Sequence, residues 1–307
     1  MLYLHNVTFF PGKWLTEPER AGFLSTFRIP ASPSDGCAPT DFSSFCHLLL
    51  TLPNSIGLEF GTCLHSFASS LLTQSENQVT PFHIATNDGE KLFAWLIAPL
   101  GVYARHADEF IQEQSGVEDI EEKLAFKLLK NDPEARLLIY FHGNSATIAQ
   151  QRRTEEYRSY ASGASEKIFV LAFDYRGFGA STGNPSEPGL LDDAAAVVDW
   201  ALNRSRIQSH RIVLLGHSLG TAVAAGIAHH YSKLGVEFAG LILCAAFTNA
   251  GSAFSSYSIG GLVPVLAPVK LSATFQTWFN RRMRDTWRTD DRLRYLIRKS
   301  DCFGNIS

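Results

Sequence analysis

Four short apolar runs recur along the second half of the chain, and helical stretches separate them. The runs are RLLIYF at 136–141, KIFVLAF at 167–173, RIVLLG at 211–216 and GLILCAAF at 240–247. Strands that are buried on both faces show such uninterrupted apolar stretches, and parallel neighbours need helical crossovers to connect them. The pattern therefore predicts an α/β fold in which a mostly parallel sheet is covered by helices.

The segments around these runs predict the remaining organisation. Residues 80–99 hold two apolar-rich runs around Asn87-Asp88-Gly89, a sequence that favours a hairpin turn. Apolar residues recur at helical spacing over 107–130, which predicts a helix there. We expect four units along the chain: an N-terminal arm with an irregular insert over 1–78, a core over 79–248, an apolar cap over 249–289, and a C-terminal helix with a tail over 290–307.

Composition and charge exclude several classes of protein. The 307 residues are 45% hydrophobic, enough for one sizeable core, and the net charge of −3 gives no overall field to recruit nucleic acid. The chain shows neither the pattern of a signal peptide nor 18 consecutive apolar residues for a membrane span. Without a C-x-x-C pair, the five cysteines predict no disulfide framework and no zinc site, and we expect no cofactor or metal. They are Cys37, Cys46, Cys63, Cys244 and Cys302.

A serine stands between two glycines at one strand-to-helix junction. Gly216-His217-Ser218-Leu219-Gly220 follows the strand run RIVLL and precedes the helical stretch TAVAAGIAHHY. This arrangement places the serine in a sharp turn, and the helix N-terminus directs backbone amides to where an oxyanion would form. The motif indicates a nucleophile; a serine that merely caps the helix is the alternative.

A second candidate motif, YFHGNSAT at 140–147, follows the first parallel strand. The backbone amide of Asn144 is placed to act with the amide of Leu219 as a pair of oxyanion donors. His142 in the same motif is a tempting general base. A histidine at a strand end is more often a structural hydrogen-bonding group, so we favour a structural role for it.

Three motifs in order carry a resemblance to a known family. FHGN at 141–144, AFDYRGFGASTGNPSEPGLLDDAAAVVDW at 172–200 and LLGHSLGTAVAAGIA at 214–228 resemble the α/β-hydrolase superfamily. Within it they are similar to the membrane-associated monoacylglycerol and lysophosphatidylserine lipases, in a fungal-type form. The resemblance covers 79–250 well and continues more loosely to about 298.

The resemblance implies a serine hydrolase that cleaves lipid-like or other acyl esters, such as monoacylglycerol or lysophospholipid, with Ser218 as nucleophile. It also implies Asn144 and Leu219 amides as the oxyanion hole, and it favours association with a membrane. Three residues of the loop after the second parallel strand are expected to form structural hydrogen bonds rather than to act in catalysis: Asp174, Arg176 and Gly179.

The acid and the histidine of a triad are not found. In this fold both follow the nucleophile along the chain, but the only later histidines are His229 and His230. His229 lies about 16 Å further along the same helix, too far for proton transfer. The later aspartates fit helix-end preferences instead: Asp285, Asp290, Asp291 and Asp301. We therefore expect severely reduced hydrolysis by this chain.

The sequence before the predicted core and after its last strand leads to a further expectation. With no strand pattern after GLILC at 240–244, that strand would lie at the edge of the sheet, with unpaired backbone and poor solubility unless the final helix or a partner covers it. Relatives of this type usually begin with a transmembrane anchor, and 24–78 shows no clear pattern. These features favour the hypothesis of an incomplete or mis-spliced gene model.

A nearly uncharged segment follows the fourth run. Residues 249–278 carry a single charge, Lys270, and could form an acyl-binding wall or, with the arginines up to 288, contact a membrane surface. An ordinary apolar cap with a solvated arginine face is the alternative. The arginines are Arg281, Arg282, Arg284 and Arg288. Two other classes of function stay open: a non-catalytic binding protein of the same fold, and peripheral membrane attachment without chemistry.

Overall fold

The computed structural model describes residues 77–114, 119–249 and 285–299, together with the backbone of residues 2–4 and 7–11. Most of the predicted irregular insert over 24–78 and of the apolar cap over 249–289 therefore lies outside the described residues, as does the predicted tail after residue 299. The division into four units stays a prediction.

A sheet of eight strands forms the centre of the fold. The strands are β1 (Leu2–Leu4), β2 (Val7–Pro11), β3 (Val79–Ala85), β4 (Lys91–Ile97), β5 (Arg136–Phe141), β6 (Ile168–Phe173), β7 (Ile212–His217) and β8 (Gly240–Cys244). Their order in the sheet is β1-β2-β8-β7-β5-β6-β4-β3. Strands β8, β7, β5 and β6 are parallel, which confirms the parallel strands predicted from the four apolar runs. The strands on either side of them pair antiparallel.

The uninterrupted apolar runs reflect burial on both faces of the sheet. In β5, Leu137, Ile139 and Phe141 pack into the larger core cluster, whereas Leu138 and Tyr140 pack into a smaller cluster on the other face. Because successive side chains of a strand point to opposite faces, a strand covered on both sides needs apolar residues at every position.

Seven α-helices lie among the described residues. They are α1 (Leu100–Arg105), α2 (Ala107–Gln112), α3 (Leu124–Asn131), α4 (Gln151–Gly163), α5 (Glu187–Asp199), α6 (Leu219–Lys233) and α7 (Thr289–Lys299). Helices α3, α5 and α6 cover the larger core cluster, while α4 covers the smaller one. Helix α7 packs against α6.

The prediction of one helix over 107–130 is wrong, because that stretch contains α2, a 3-10 turn at Ile120–Glu122 and α3. The Asp119 side chain caps the 3-10 turn by accepting the Glu121 N–H at 3.1 Å. Lys123 then has an extended backbone, with φ −75° and ψ 143°. The helical spacing of apolar residues continues through 107–130, although the Asp119 cap and the extended Lys123 interrupt the helix there.

The expectation that the strand at 240–244 ends the sheet is also wrong. Strand β2 pairs antiparallel along all five residues of β8, from Val7 opposite Cys244 to Pro11 opposite Gly240. Strand β1 pairs in turn with β2. The N-terminal arm therefore supplies two strands to the sheet, so β8 is not an uncovered edge strand and gives no reason to expect poor solubility.

The predicted hairpin is present as β3 and β4. Gly89 in its turn has φ 91°, and Thr86 and Glu90 close the turn through a 2.9 Å backbone hydrogen bond. A left-handed φ of this kind favours glycine, which explains the turn sequence. No helix in the described part of the chain is long and apolar enough to cross a membrane.

Candidate active site

Ser218 occupies the sharp turn between β7 and α6. Its φ is 52° and its ψ is −116°, outside the regions that non-glycine residues ordinarily adopt. The Ser218 N–H donates to the Cys244 carbonyl at 2.9 Å, which ties the turn to the end of β8. The Thr221 N–H donates to the Ser218 carbonyl at 2.9 Å, and so starts the helix. Such a strained serine at a strand-to-helix turn has its hydroxyl directed away from the backbone of both elements.

The two flanking glycines are required by close packing. A Cβ atom on Gly220 would overlap the Phe141 carbonyl oxygen of β5, and one on Gly216 would overlap the Gly220 carbonyl. Both overlaps are with backbone, which cannot move aside as a flexible side chain can. The G-x-S-x-G spacing therefore reflects the contact between β7, α6 and β5.

The loop after β5 lies beside this turn. A Cβ atom on Gly143 would lie 3.2 Å from His217 Nδ1 and 3.4 Å from Ser218 Cβ, so the loop backbone contacts the serine turn. Asn144 is exposed and Leu219 is half-buried. Within the described residues, the backbone amide of neither one is paired with an acceptor. The structure thus brings the sequence-predicted nucleophile and the predicted donor loop together.

His142 has the structural role that the sequence analysis favoured. Its ring is fully buried against Tyr175, with ring centroids 4.3 Å apart. Nδ1 donates to the Gly143 carbonyl at 2.8 Å, because a carbonyl can only accept. Burial, and secondarily the nearby Arg153 charge, lower the pKa of His142 to about 3. The imidazole is therefore neutral, and its 3.7 Å approach to Asp174 is not an ion pair.

Asp174 supports the loop after β5. One carboxylate oxygen accepts the Ile148 N–H at 2.8 Å. Burial raises the pKa of Asp174 to about 7, against the lowering effect of that hydrogen bond. A Cβ atom on Gly179, whose φ is 52°, would overlap the Asp174 carboxylate. Asp174 thus forms the structural hydrogen bond expected for it, whereas Gly179 allows the close approach of the Asp174 carboxylate.

Arg176 also has the expected structural role. Its Nε donates to Asp193 at 2.8 Å, and its Nη1 donates to Asp88 in the β3–β4 turn at 2.7 Å. Burial raises the pKa of Asp193 to about 6, while the Arg176 guanidinium opposes that shift. This network, in which Arg176 and Asp193 are buried and Asp88 is half exposed, joins α5 to the hairpin turn.

No imidazole in the described part of the chain is hydrogen-bonded to the Ser218 hydroxyl. His217 is half-buried beside Gly143, and burial lowers its pKa. His229 packs edge-on against Tyr295 of α7, with ring centroids 4.7 Å apart. His230 contacts the neighbouring Tyr231 ring. The side chains of three further histidines lie outside the described residues: His5, His47 and His65.

The later aspartates take part in structural contacts. Asp285 accepts the Glu187 N–H at 3.0 Å, and Asp291 pairs with Arg288. Asp290 lies in the first turn of α7. Asp301 lies outside the described residues, as do Arg281, Arg282 and Arg284 and the segment 250–284.

The described residues include one of the five cysteines. Cys244 is a free thiol whose pKa burial raises to about 11, and the other four cysteines lie outside the described residues. Among the residues that the structure describes, no cluster of histidine, cysteine and carboxylate side chains has the arrangement of a metal site.

Comparison with known proteins identifies the family. The model of the alpha/beta hydrolase family matches residues 138–301, more than half of the chain. The chain belongs to the alpha/beta hydrolase family. The match includes most of β5, the donor loop, β7 and the serine turn, so it covers the elements that form the candidate site. The fold class predicted from the apolar runs and the resemblance to this superfamily are both confirmed.

Curated relatives within the alpha/beta hydrolase family match part of the chain. Protein ABHD12B of Homo sapiens is 37% identical over 123 residues, which are 40% of this chain and 33% of that protein. The lysophosphatidylserine lipase ABHD12 of Rattus norvegicus is 31% identical over 176 residues, 57% of this chain and 40% of that protein. The chain thus matches well under half the length of these relatives. The name of the second relative supports the lipase-like branch.

A solved alpha/beta hydrolase shares the fold. The structure of an alpha-beta hydrolase from Vibrio vulnificus superposes with a TM-score of 0.50 at 17% sequence identity. The superposition covers 79% of this chain and 66% of the other. At that identity, the likeness supports the architecture alone.

Sequence reasoning missed one residue next to the candidate site. Arg153, near the start of α4, is buried and donates to backbone carbonyls of the loop after β5. It stands in the polar run QRRTEEYR, a pattern that is typical of a solvated helix face. Nothing in that pattern distinguishes it from its neighbour Arg152, whose side chain is 70% exposed.

Proposed function

We propose that this protein is a serine hydrolase of acyl esters in which Ser218 is the nucleophile. The observation that carries the proposal is the strained turn: a serine with φ 52° between a parallel strand and a helix, in a chain of this family. Attack by its hydroxyl on an acyl carbon would form a tetrahedral intermediate and then an acyl-enzyme, with release of the alcohol.

Two backbone amides are proposed as the oxyanion hole. The Leu219 amide lies at the N-terminus of α6, where the helix dipole favours negative charge. The Asn144 amide belongs to the loop whose backbone contacts the serine turn at Gly143. Together they would donate to the oxygen of the tetrahedral intermediate, the arrangement typical of this fold.

The proposed substrates are lipid-like acyl esters, such as a monoacylglycerol or a lysophospholipid. Support comes from the names of relatives, which include lysophosphatidylserine lipases. The apolar segment 249–278 would form the acyl-binding wall. We also propose peripheral membrane contact through 249–288, where the arginines would meet anionic head groups. Binding to anionic vesicles that weakens as salt is raised would support this contact.

Turnover is proposed to be slow in this chain. Serine needs an adjacent base, and losing triad members costs orders of magnitude even when oxyanion donors remain. The lack of such a base among the described residues also favours a second candidate function, a non-catalytic binding protein of the same fold. Within the described residues, no imidazole is bonded to the Ser218 hydroxyl.

Fluorophosphonate labelling distinguishes the two candidates, because covalent reaction requires an activated hydroxyl. We expect the purified chain to be labelled at Ser218 slowly, in keeping with the slow turnover proposed for it, and the label to disappear in Ser218→Ala. Ser162→Ala, which removes an exposed hydroxyl of α4, is the control and should label as the original chain does. A folded chain that takes up no label would reject the hydrolase and leave the binding protein.

A further inference from the structure

Arg153 lies beneath the loop that carries Asn144. The residue is only 5% exposed, and a guanidinium at that depth is costly unless its N–H groups are hydrogen-bonded. Among the described residues no carboxylate forms an ion pair with it. Its hydrogen-bond partners are backbone carbonyls of a single loop.

The guanidinium bonds to three alternate carbonyls of that loop. Nη1 donates to Thr147 O at 2.7 Å, and Nη2 donates to Ser145 O at 2.5 Å and to Gly143 O at 3.3 Å. One planar, rigid group therefore holds three peptide units on the side of α4. A fixed fork of donors is the property that distinguishes arginine from lysine.

The direction of the Gly143 carbonyl determines that of the Asn144 amide. The described residues contain no cis peptide bond, and in a trans peptide the N–H points opposite to the preceding C=O. Besides Arg153, the Gly143 carbonyl accepts from His142 Nδ1 at 2.8 Å and from the Ser145 N–H at 2.9 Å. Because these donors hold the carbonyl inward, the Asn144 N–H faces away from them.

The far end of the loop is held from both sides. Arg153 binds the Thr147 carbonyl, and Asp174 accepts the N–H of the same peptide unit, that of Ile148, at 2.8 Å. Both anchors are buried. The loop between them therefore has its peptide orientations set by buried side chains before any substrate arrives, which is what electrostatic preorganisation requires.

We propose that Arg153 is a positioning residue that sets the direction of the Asn144 oxyanion amide by holding the carbonyls of Gly143, Ser145 and Thr147. This role rests on the proposed function of Ser218. Arg153 touches neither the substrate nor the reacting atoms. It fixes the orientation of the Asn144 N–H, so its loss should slow the covalent step without weakening ligand binding.

The test compares variants of two neighbouring arginines. Arg153→Met removes the donors, Arg153→Lys keeps the charge but not the fork, and Arg152→Met changes a side chain that is 70% exposed. For each, the maximal rate and the half-saturating concentration of fluorophosphonate labelling at Ser218 are measured. Hydrogen exchange of amides 143–148 is followed in parallel, and the thermal unfolding midpoint verifies folding.

We expect Arg153→Met to lower the maximal labelling rate by about 100-fold, the lower end of the scale of a lost oxyanion donor, with the half-saturating concentration unchanged. The maximal labelling rate of Arg153→Lys should lie between those of Arg153→Met and the original chain, and that of Arg152→Met should equal the original rate. In the Arg153 variants, faster hydrogen exchange should be confined to amides 143–148.

A folded Arg153→Met chain that is labelled at the original rate would overturn the proposal. If that variant does not fold, Arg153→Lys decides, because labelling and exchange at the original rates would show that the fork is not needed. An original chain that takes up no label rejects the proposed function itself, and with it this role, whereas equal labelling of both chains rejects only the role of Arg153.

Discussion

Two turns lie side by side at the carboxyl edge of the sheet, and they reach their shapes by different means. The turn after β7 is fixed by backbone contacts, since any side chain at Gly216 or Gly220 would overlap neighbouring backbone. The loop after β5, residues 142–148, is fixed by buried polar side chains, chiefly Arg153 and Asp174.

The difference has consequences for stability and chemistry. A turn held by steric exclusion has no titrating group in its support, and it tolerates almost no substitution. A loop held by buried polar groups depends on their protonation, and each group costs free energy if its partner is lost. The Ser218 nucleophile is thus positioned by packing, whereas the Asn144 oxyanion donor is positioned by hydrogen bonds.

The largest effect is expected from Gly220→Ala, which breaks the serine turn. The added methyl group would overlap the Phe141 carbonyl oxygen, so β5 and α6 must separate. We expect a loss of about 4 kcal/mol in the free energy of unfolding, at the upper end for single substitutions. Urea unfolding measures it.

Gly235→Ala is the matched control for that prediction. Gly235 has φ 80°, but a methyl group there would meet no atom within 4 Å. Only the cost of a left-handed backbone remains, about 1 kcal/mol. Equal losses in the two variants would show that close packing does not fix the serine turn.

The second largest effect is expected on the rate of labelling when Asn144 in the loop after β5 is substituted. Asn144→Pro removes the proposed backbone donor, whereas Asn144→Ala removes only an exposed side chain. We expect the proline variant to be labelled by fluorophosphonate about 100-fold more slowly, and the alanine variant at nearly the original rate. A slow alanine variant would assign the effect to the side chain and contradict the proposed amide.

A smaller, pH-dependent effect should separate the loop from the turn. Burial lowers the pKa of His142 to about 3 and raises that of Asp174 to about 7, from ordinary values of 6.5 and 3.8. Between pH 8 and pH 5, His142 takes up a proton only when unfolded, so it costs about 2 kcal/mol of stability as pH falls. Asp174 takes up a proton mainly when folded, so it adds about 2.5 kcal/mol over the same interval.

The two contributions oppose each other in the original protein, and single variants expose them. Relative to the original chain, His142→Gln should gain stability as pH falls from 8 to 5, and Asp174→Asn should lose it. Urea unfolding at several pH values measures both differences. Variants whose stability follows the original pH dependence would show that the supports of the loop do not titrate.

The comparison also explains what could be predicted from sequence. The serine turn was predictable because its glycines and its flanking apolar runs lie within a few residues of Ser218 in the sequence. The support of the donor loop was not, because Arg153 is polar in sequence and becomes buried only through its contacts with the loop. The pairing of β2 with β8 joins residues far apart in the chain, and no local pattern specifies such a pair.

The most direct test of the proposed nucleophile and oxyanion hole is the crystal structure of the chain after reaction with a fluorophosphonate. We expect phosphorus bonded to Ser218 Oγ, with the phosphonyl oxygen at about 3 Å from the backbone amides of both Asn144 and Leu219. An adduct on another side chain, or a phosphonyl oxygen directed away from both amides, would contradict it.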